Sequence, residues 1–225
     1  MKLNSDLNLR ASCNINDLKW ENSPSGGVQR RRLEQFVSEN DVERVTTIVR
    51  FAPHSSFRGH VHGGGEEFLV LDGVFSDQHG DYPAGYYLRN PKGTGHAPYS
   101  EEGCTILVKL WQMHPDDSLQ IAINTRDKSL WQNNNQYEAV LPLFDADYES
   151  VSMLNWTAGA QLLDLEFNAG VEYFVIKGSF SDGDGTYHEG SWLRLPAKSK
   201  QTILVKQDCI VLRKTGHLLN PVSYE

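Results

Sequence analysis

Three histidines and a glutamate stand out as residues that could do chemistry together. The stretch Gly59-His60-Val61-His62-Gly63-Gly64-Gly65-Glu66-Glu67 sets two imidazoles two positions apart and follows them, across three glycines, with carboxylates. In an extended strand residues i and i+2 share a face, so His60 and His62 project side by side. The glycines permit a tight turn that returns a carboxylate to the same neighbourhood. A third imidazole, His96, follows the turn-rich segment Asn90–Gly95, where a returning strand can bring it alongside. Neutral imidazoles with one carboxylate form a borderline N/O donor set, better suited to Fe(II), Mn(II), Ni(II) or Zn(II) than to Ca(II) or Mg(II). Spacing alone leaves Glu66 and Glu67 both open as the carboxylate.

The elements that must position these groups are strands. Short β-rich runs such as Val42–Phe51, Phe68–Leu71, Tyr86–Leu88 and Thr105–Trp111 are each closed by Gly, Asp, Asn or Pro, and helix signals are sparse. This is the rhythm of an antiparallel sandwich or jelly roll.

An internal repeat sharpens the picture. EFLVLDGVFSDQHGDYPAGYYLRNP from Glu67 aligns with EYFVIKGSFSDGDGTYHEGSWLRLP from Glu172. Gly73, Phe75, Ser76, Asp77, Tyr82 and Arg89 meet Gly178, Phe180, Ser181, Asp182, Tyr187 and Arg194, and the register runs on to Cys104 with Cys209 and Lys109 with Lys214. Identity on this scale at one offset is duplication, so two homologous barrels are expected. Trp20 and Trp131 are read as opening them, with the boundary near Pro115, giving domains 1–114 and 115–225.

The repeat also chooses between the glutamates. At the same offset His60, His62, Glu66 and His96 meet Leu165, Phe167, Val171 and Gln201, whereas Glu67 meets Glu172. Groups lost together served one purpose, so Glu66 is taken as a metal ligand and Glu67 as structural. A lone His-x-His is common by chance, but four suitable groups jointly replaced in the sister unit are not. The expectation is one divalent ion per chain in the first barrel, zinc or iron foremost, with manganese and nickel as alternatives. His54, His79, His114, His188 and His217 are read as surface or packing residues. Phe57, Phe68, Tyr82, Tyr99 and Trp111 could line an approach to the ion, though each is equally good core.

The totals set bounds. A formal charge of −8 argues against general nucleic-acid binding, which needs a basic surface. Arg30-Arg31-Arg32 is the exception, read as a solvated strand face with one snorkelling side chain. No apolar stretch is long enough for a signal peptide or a membrane span. Cys13, Cys104 and Cys209 are too few and scattered for a disulfide scaffold, so a reducing, cytoplasmic location is the default.

From Arg50 to Trp111, the H-x-H-x-x-x-E motif, G-E-E-F-L-V-L-D-G, F-S-D, G-D-Y-P-A-G, the later His96 and G-C-T-I-L-V-K-L together resemble the cupin domain of ChrR-like proteins. The second unit resembles it in weaker form. The resemblance implies two tandem cupin jelly-roll barrels, all-β, the second a degenerate repeat, with a metal site at His60, His62, Glu66 and His96. In ChrR itself the cupin follows a zinc-binding anti-sigma domain. No His-x-x-x-Cys-x-x-Cys occurs here, so sigma-factor inhibition does not carry over. Two functions from different classes remain. One is a regulatory module that senses a small molecule or oxidant. The other is an Fe(II) dioxygenase, since related cupins cleave diketones and dihydroxyacetophenones. A small molecule and a second copy of the chain are the candidate partners.

Overall fold

The computed structural model describes residues 2–37, 43–219 and 221. Val42, which opens one expected strand, lies outside the described residues, and that strand is seen as Glu43–Phe51. The architecture is nearly all β, with short 3₁₀ turns at Ile15–Asp17 and Lys128–Leu130. Two compact units are present.

The first unit is an antiparallel sheet in which Val28–Val37, Glu43–Phe51, Cys104–Leu110, Glu66–Asp77, Tyr86–Asn90 and Ile121–Asn124 lie side by side in that order. Alternation along these strands sends Val28, Val49, Phe51, Phe68, Val70, Ile106 and Val108 into one apolar core. A separate two-stranded ribbon pairs His60–Val61 with Gly95–His96.

The second unit repeats the plan. Glu138–Ala146, Glu149–Trp156, Ser199–Thr215, Val171–Ser181, Ser191–Leu195 and Ala11–Asn14 follow one another. Gly73 and Gly178 occupy equivalent kinks with φ of 71° and 77°. A Cβ there would meet the carbonyl oxygens of Gly103 and Asp208 at 2.0 and 1.9 Å, so no other residue fits either position.

Leu18–Arg126 group in the first unit, while Asp6–Asp17 and Asp127–Pro221 group in the second. The reason is edge pairing. Ile121–Asn124 hydrogen-bonds to Tyr86–Arg89, and Asp117 forms a buried ion pair with Arg89. In the second unit Ala11–Asn14 caps the matching edge at Ser191–Arg194, and Arg194 donates to the carbonyls of Asp6 and Leu9. Each of these segments covers a sheet edge that would otherwise present unpaired backbone groups.

Candidate metal centre

Local sequence explains how the four predicted groups meet. The His60–Val61 and Gly95–His96 ribbon places His60 directly opposite His96. After His62 the chain crosses the face of Trp111. A Cβ on Gly63 or Gly64 would come within 2.5 or 2.4 Å of the indole, and one on Gly65, at φ 77°, within 2.4 Å of the Met113 sulfur. The three glycines are therefore a requirement of packing as well as of turning. The Trp111 amide donates to the Gly65 carbonyl at 3.2 Å, fixing the turn that delivers Glu66 to the head of the long Glu66–Asp77 strand.

The donor atoms of His60, His62, Glu66 and His96 all lie within 4.8 Å of one another. His62 Nε2 and His96 Nε2 stand 3.6 and 3.4 Å from Glu66 Oε1. The imidazole rings are mutually edge-to-face, with centroids 4.6 to 5.3 Å apart. Each ring uses its other nitrogen elsewhere. His60 Nδ1 donates to the Arg58 carbonyl at 3.0 Å, which can only accept. His96 Nδ1 donates to the Asp77 carboxylate at 3.2 Å. His62 Nδ1 lies 3.0 Å from the Thr94 hydroxyl, whose own proton goes to the Pro91 carbonyl at 2.7 Å. So His62 must donate there too. All three Nε2 atoms are left with a free lone pair, those of His62 and His96 beside Glu66, the tautomer a metal ligand needs.

The electrostatics agree. Burial, reinforced by His96 and His60, pushes the His62 pKa down to about 3, keeping that imidazole neutral. Burial also lowers His96, against the opposing pull of Asp77. Burial pushes Glu66 up to about 7, against a hydrogen bond from Asn90 and with Asp77 adding to the rise. Buried polar atoms ordinarily find partners. Here His62 Nε2, His96 Nε2 and Glu66 Oε1 are buried without a hydrogen-bond partner. A divalent cation would satisfy all three at once, and the donor set fits one.

Glu67 behaves differently. It is buried on the other face of the strand, where it accepts from the Tyr87 hydroxyl at 3.0 Å and from Arg89 at 3.3 Å. Among the remaining histidines, His54 pairs with Glu101 on the surface, His79 meets Gln78, His114 sits near Asp116, and His217 packs against Glu172. None joins a comparable cluster among the described residues. Cys104 and Cys209 are buried strand residues, their thiols raised by burial to about 11 and about 12.

Sequence reasoning missed the groups that orient the ligands. Asp77 and Thr94 were visible only as turn-type residues, although Asp77 recurs as Asp182. Gln78 also escaped notice. Its side chain donates to the Gly95 carbonyl and accepts from the Ala97 amide, clamping the His96 ribbon.

The cluster faces a cavity of about 850 Å³. Of the expected aromatic residues, Phe57 and Trp111 line it, whereas Phe68, Tyr82 and Tyr99 are not among its lining residues. Val49, Phe75 and Val108 supply apolar wall, and Arg30 and Arg58 line it as well.

Compared with known proteins, the sequence matches the model of the ChrR cupin-like domain over residues 8–114 and again over 120–219. The chain belongs to the ChrR cupin-like family. No curated protein matches it at a comparable level of sequence similarity. Several crystal structures are similar to this ChrR cupin-like protein in fold. A proposed dioxygenase from Nostoc punctiforme superposes with a TM-score of 0.77 at 15% identity, covering 97% of this chain and 87% of its own. Protein YlbA of Escherichia coli gives 0.70 at 14%, covering 98% and 95%. Bacterial pirin YhhW of E. coli, in complex with nickel(II), gives 0.67 at 15%, covering 92% and 98%. At such identities the likeness shows the fold alone. No helix among the described residues is long and apolar enough to cross a membrane.

Proposed function

We propose that the first barrel of this ChrR cupin-like protein holds one divalent metal ion through His60, His62, Glu66 and His96, and that it binds a small molecule there as a regulatory or sensing module. One observation carries the reading. Three buried donor atoms without hydrogen-bond partners converge at a cavity large enough for a small organic ligand. A bound ion would supply Lewis acidity and, if iron, redox chemistry, with coordination positions left over for a ligand. The chain's own residues do the rest. Arg58, Thr94 and Asp77 hold the imidazoles in their donor tautomer, and the Trp111-backed turn holds Glu66. The apolar wall keeps bulk water from the ligand. Three free cysteines accord with a reducing compartment.

The open cavity beside the cluster favours a second reading, an Fe(II)-dependent dioxygenase acting on a diketone or hydroxylated aryl ketone. The two separate in one experiment. Elemental analysis of protein isolated without added metal should find one ion per chain. An oxygen electrode then compares zinc-loaded and Fe(II)-loaded protein with those two substrate classes. A sensing module consumes no oxygen in either form. Rapid, substrate-dependent uptake by the Fe(II) form, abolished in His62→Ala, would make the protein a dioxygenase.

A further inference from the structure

We infer that the ligand of this cavity is an organic anion, a carboxylate with an apolar body, and that Arg30 is the residue that recognises its charge. The inference rests on the metal reading for one of two anchors, the ion, and on the cavity itself for the other.

Arg30 lies in the Val28–Val37 strand, two residues from the core residue Val28, so its side chain leaves the strand on the interior face. It lines the same cavity as the four metal-binding candidates, and its guanidinium sits 6.0 Å from the centre of the Phe57 ring. Its neighbours in the basic run go elsewhere. Arg31 stacks on Trp20 at 4.2 Å, and Arg32 pairs with Glu21. Among the described lining residues Glu66 is the single carboxylate, while Arg30 and Arg58 are both cations. A divalent ion more than offsets Glu66, which leaves the cavity net positive between apolar walls, where charge attraction is strongest.

The second barrel provides a control. Arg30 pairs with Val49, and Val49 is the repeat equivalent of Leu154, whose partner is Val140. So Val140 takes the place of Arg30, and there it packs against an apolar core. The interior cation therefore occurs in the barrel that keeps the metal ligands and is replaced in the one that lost them. A guanidinium binds carboxylate through a planar pair of N–H donors. The Phe57 ring and the Val49 and Val108 side chains offer contact for an apolar body.

The probe is benzoate, with benzamide as its neutral isostere, titrated by calorimetry into full-length protein both Co(II)-loaded and metal-free. Visible absorption of the cobalt provides a second readout. Benzoate should bind and benzamide should bind at least tenfold more weakly. Arg30→Val, the residue of the sister barrel, and Arg30→Gln should each weaken benzoate roughly 10- to 100-fold, the usual loss for a charged hydrogen-bonded contact. Cobalt content should not change in either variant, and Arg30→Lys should retain part of the affinity. Equal binding of benzamide, no benzoate binding to wild type in either form, or unchanged affinity in both Arg30 variants would overturn the inference. If cobalt fails to bind but benzoate still binds in an Arg30-dependent manner, the metal reading falls and the anion site stands.

Discussion

The two barrels share a register and a core plan, yet one keeps a converging set of unpartnered donors where the other retains, at the matching positions, a single such atom, Gln201 Oε1, in place of His96. At the positions of His60, His62 and Glu66 the second barrel carries Leu165, Phe167 and Val171, and these pack into an apolar cluster with Trp156, Tyr173 and Phe180. Larger side chains complete the filling, since Trp156 stands at the position of Phe51 and Leu154 at that of Val49. The supporting carboxylate survives without its purpose. Asp182, the equivalent of Asp77, accepts from Gln201 at 2.8 Å where Asp77 accepts from His96. Arg10 then forms a second contact with it at 2.7 Å. Burial works against the charge on Asp182, but these hydrogen bonds hold its carboxyl below the ordinary value. The lesson is that an orienting residue alone marks no site. What distinguishes the first barrel is that several unpartnered lone-pair atoms converge on one point.

The backbone differs for the same reason. Ser199–Thr215 is one continuous strand, whereas its counterpart is broken into Gly95–His96, Tyr99–Ser100 and Cys104–Leu110. Pro98 and Gly103 interrupt it where the second barrel has Ile203 and Asp208. Proline lacks the amide that a ladder requires. The pairing itself is common to both barrels, His60 with His96 in one and Leu165 with Gln201 in the other, but the break sets the first apart as a separate two-stranded ribbon.

The comparison can be broken most directly through the metal. His62→Ala or His96→Ala should abolish ion retention on gel filtration, leaving elemental analysis near zero where wild type shows one per chain. Two tightly held ions per chain would mean that the second barrel is not a filled one.

A smaller effect separates the adjacent glutamates. Glu66→Gln should weaken metal retention with little loss of metal-free stability, because it removes a carboxyl that burial already strains. Glu67→Gln should keep the metal and destabilise the fold by about 1–3 kcal/mol, the cost of depriving buried Tyr87 and Arg89 of a charged partner. Denaturant titration of both metal-free variants checks this. Metal loss in Glu67→Gln with retention in Glu66→Gln would reverse the assignment.

The gentlest test is pH. Glu66 has its pKa raised, so without metal its contribution to stability is present below the usual carboxylate range and is lost as pH rises through about 7. His62 has its pKa depressed, so its contribution is present above the ordinary imidazole value and is lost as pH falls towards about 3. An ion removes the Glu66 penalty and competes with protons for all four groups. The gap in melting temperature between metal-loaded and metal-free protein should therefore widen from pH 5 to pH 8. A gap that narrows over this range would argue that the ion does not engage Glu66.

Much of this was legible in the sequence because its signals were periodic. The spacing of His60 and His62 and the joint loss of four groups at one offset pointed to the cluster before any coordinates. The role of Arg30 was not legible. Three consecutive arginines in a strand alternate faces, and no residue in the run says which face meets the cavity. The strand pairings at the sheet edges were hidden for a related reason. Ile121–Asn124 carries strand character wherever it pairs, and the buried partner of Asp117 lies in the Tyr86–Asn90 strand, far back along the chain. Pairing across such distances leaves no local mark.

The edge strand Ala11–Asn14 has a consequence for the order in which the chain is made. Its partner, Ser191–Arg194, emerges from the ribosome about 180 residues later, roughly 10–40 s at ordinary elongation rates. The first barrel needs nothing beyond Ile121–Asn124 to close its own edge and can be complete while the second is still being translated. The segment around Ala11 must wait, unpaired, until the end of synthesis. A strand made near the start is then among the last to be placed, and the finished second barrel depends on a piece of chain made before most of the first.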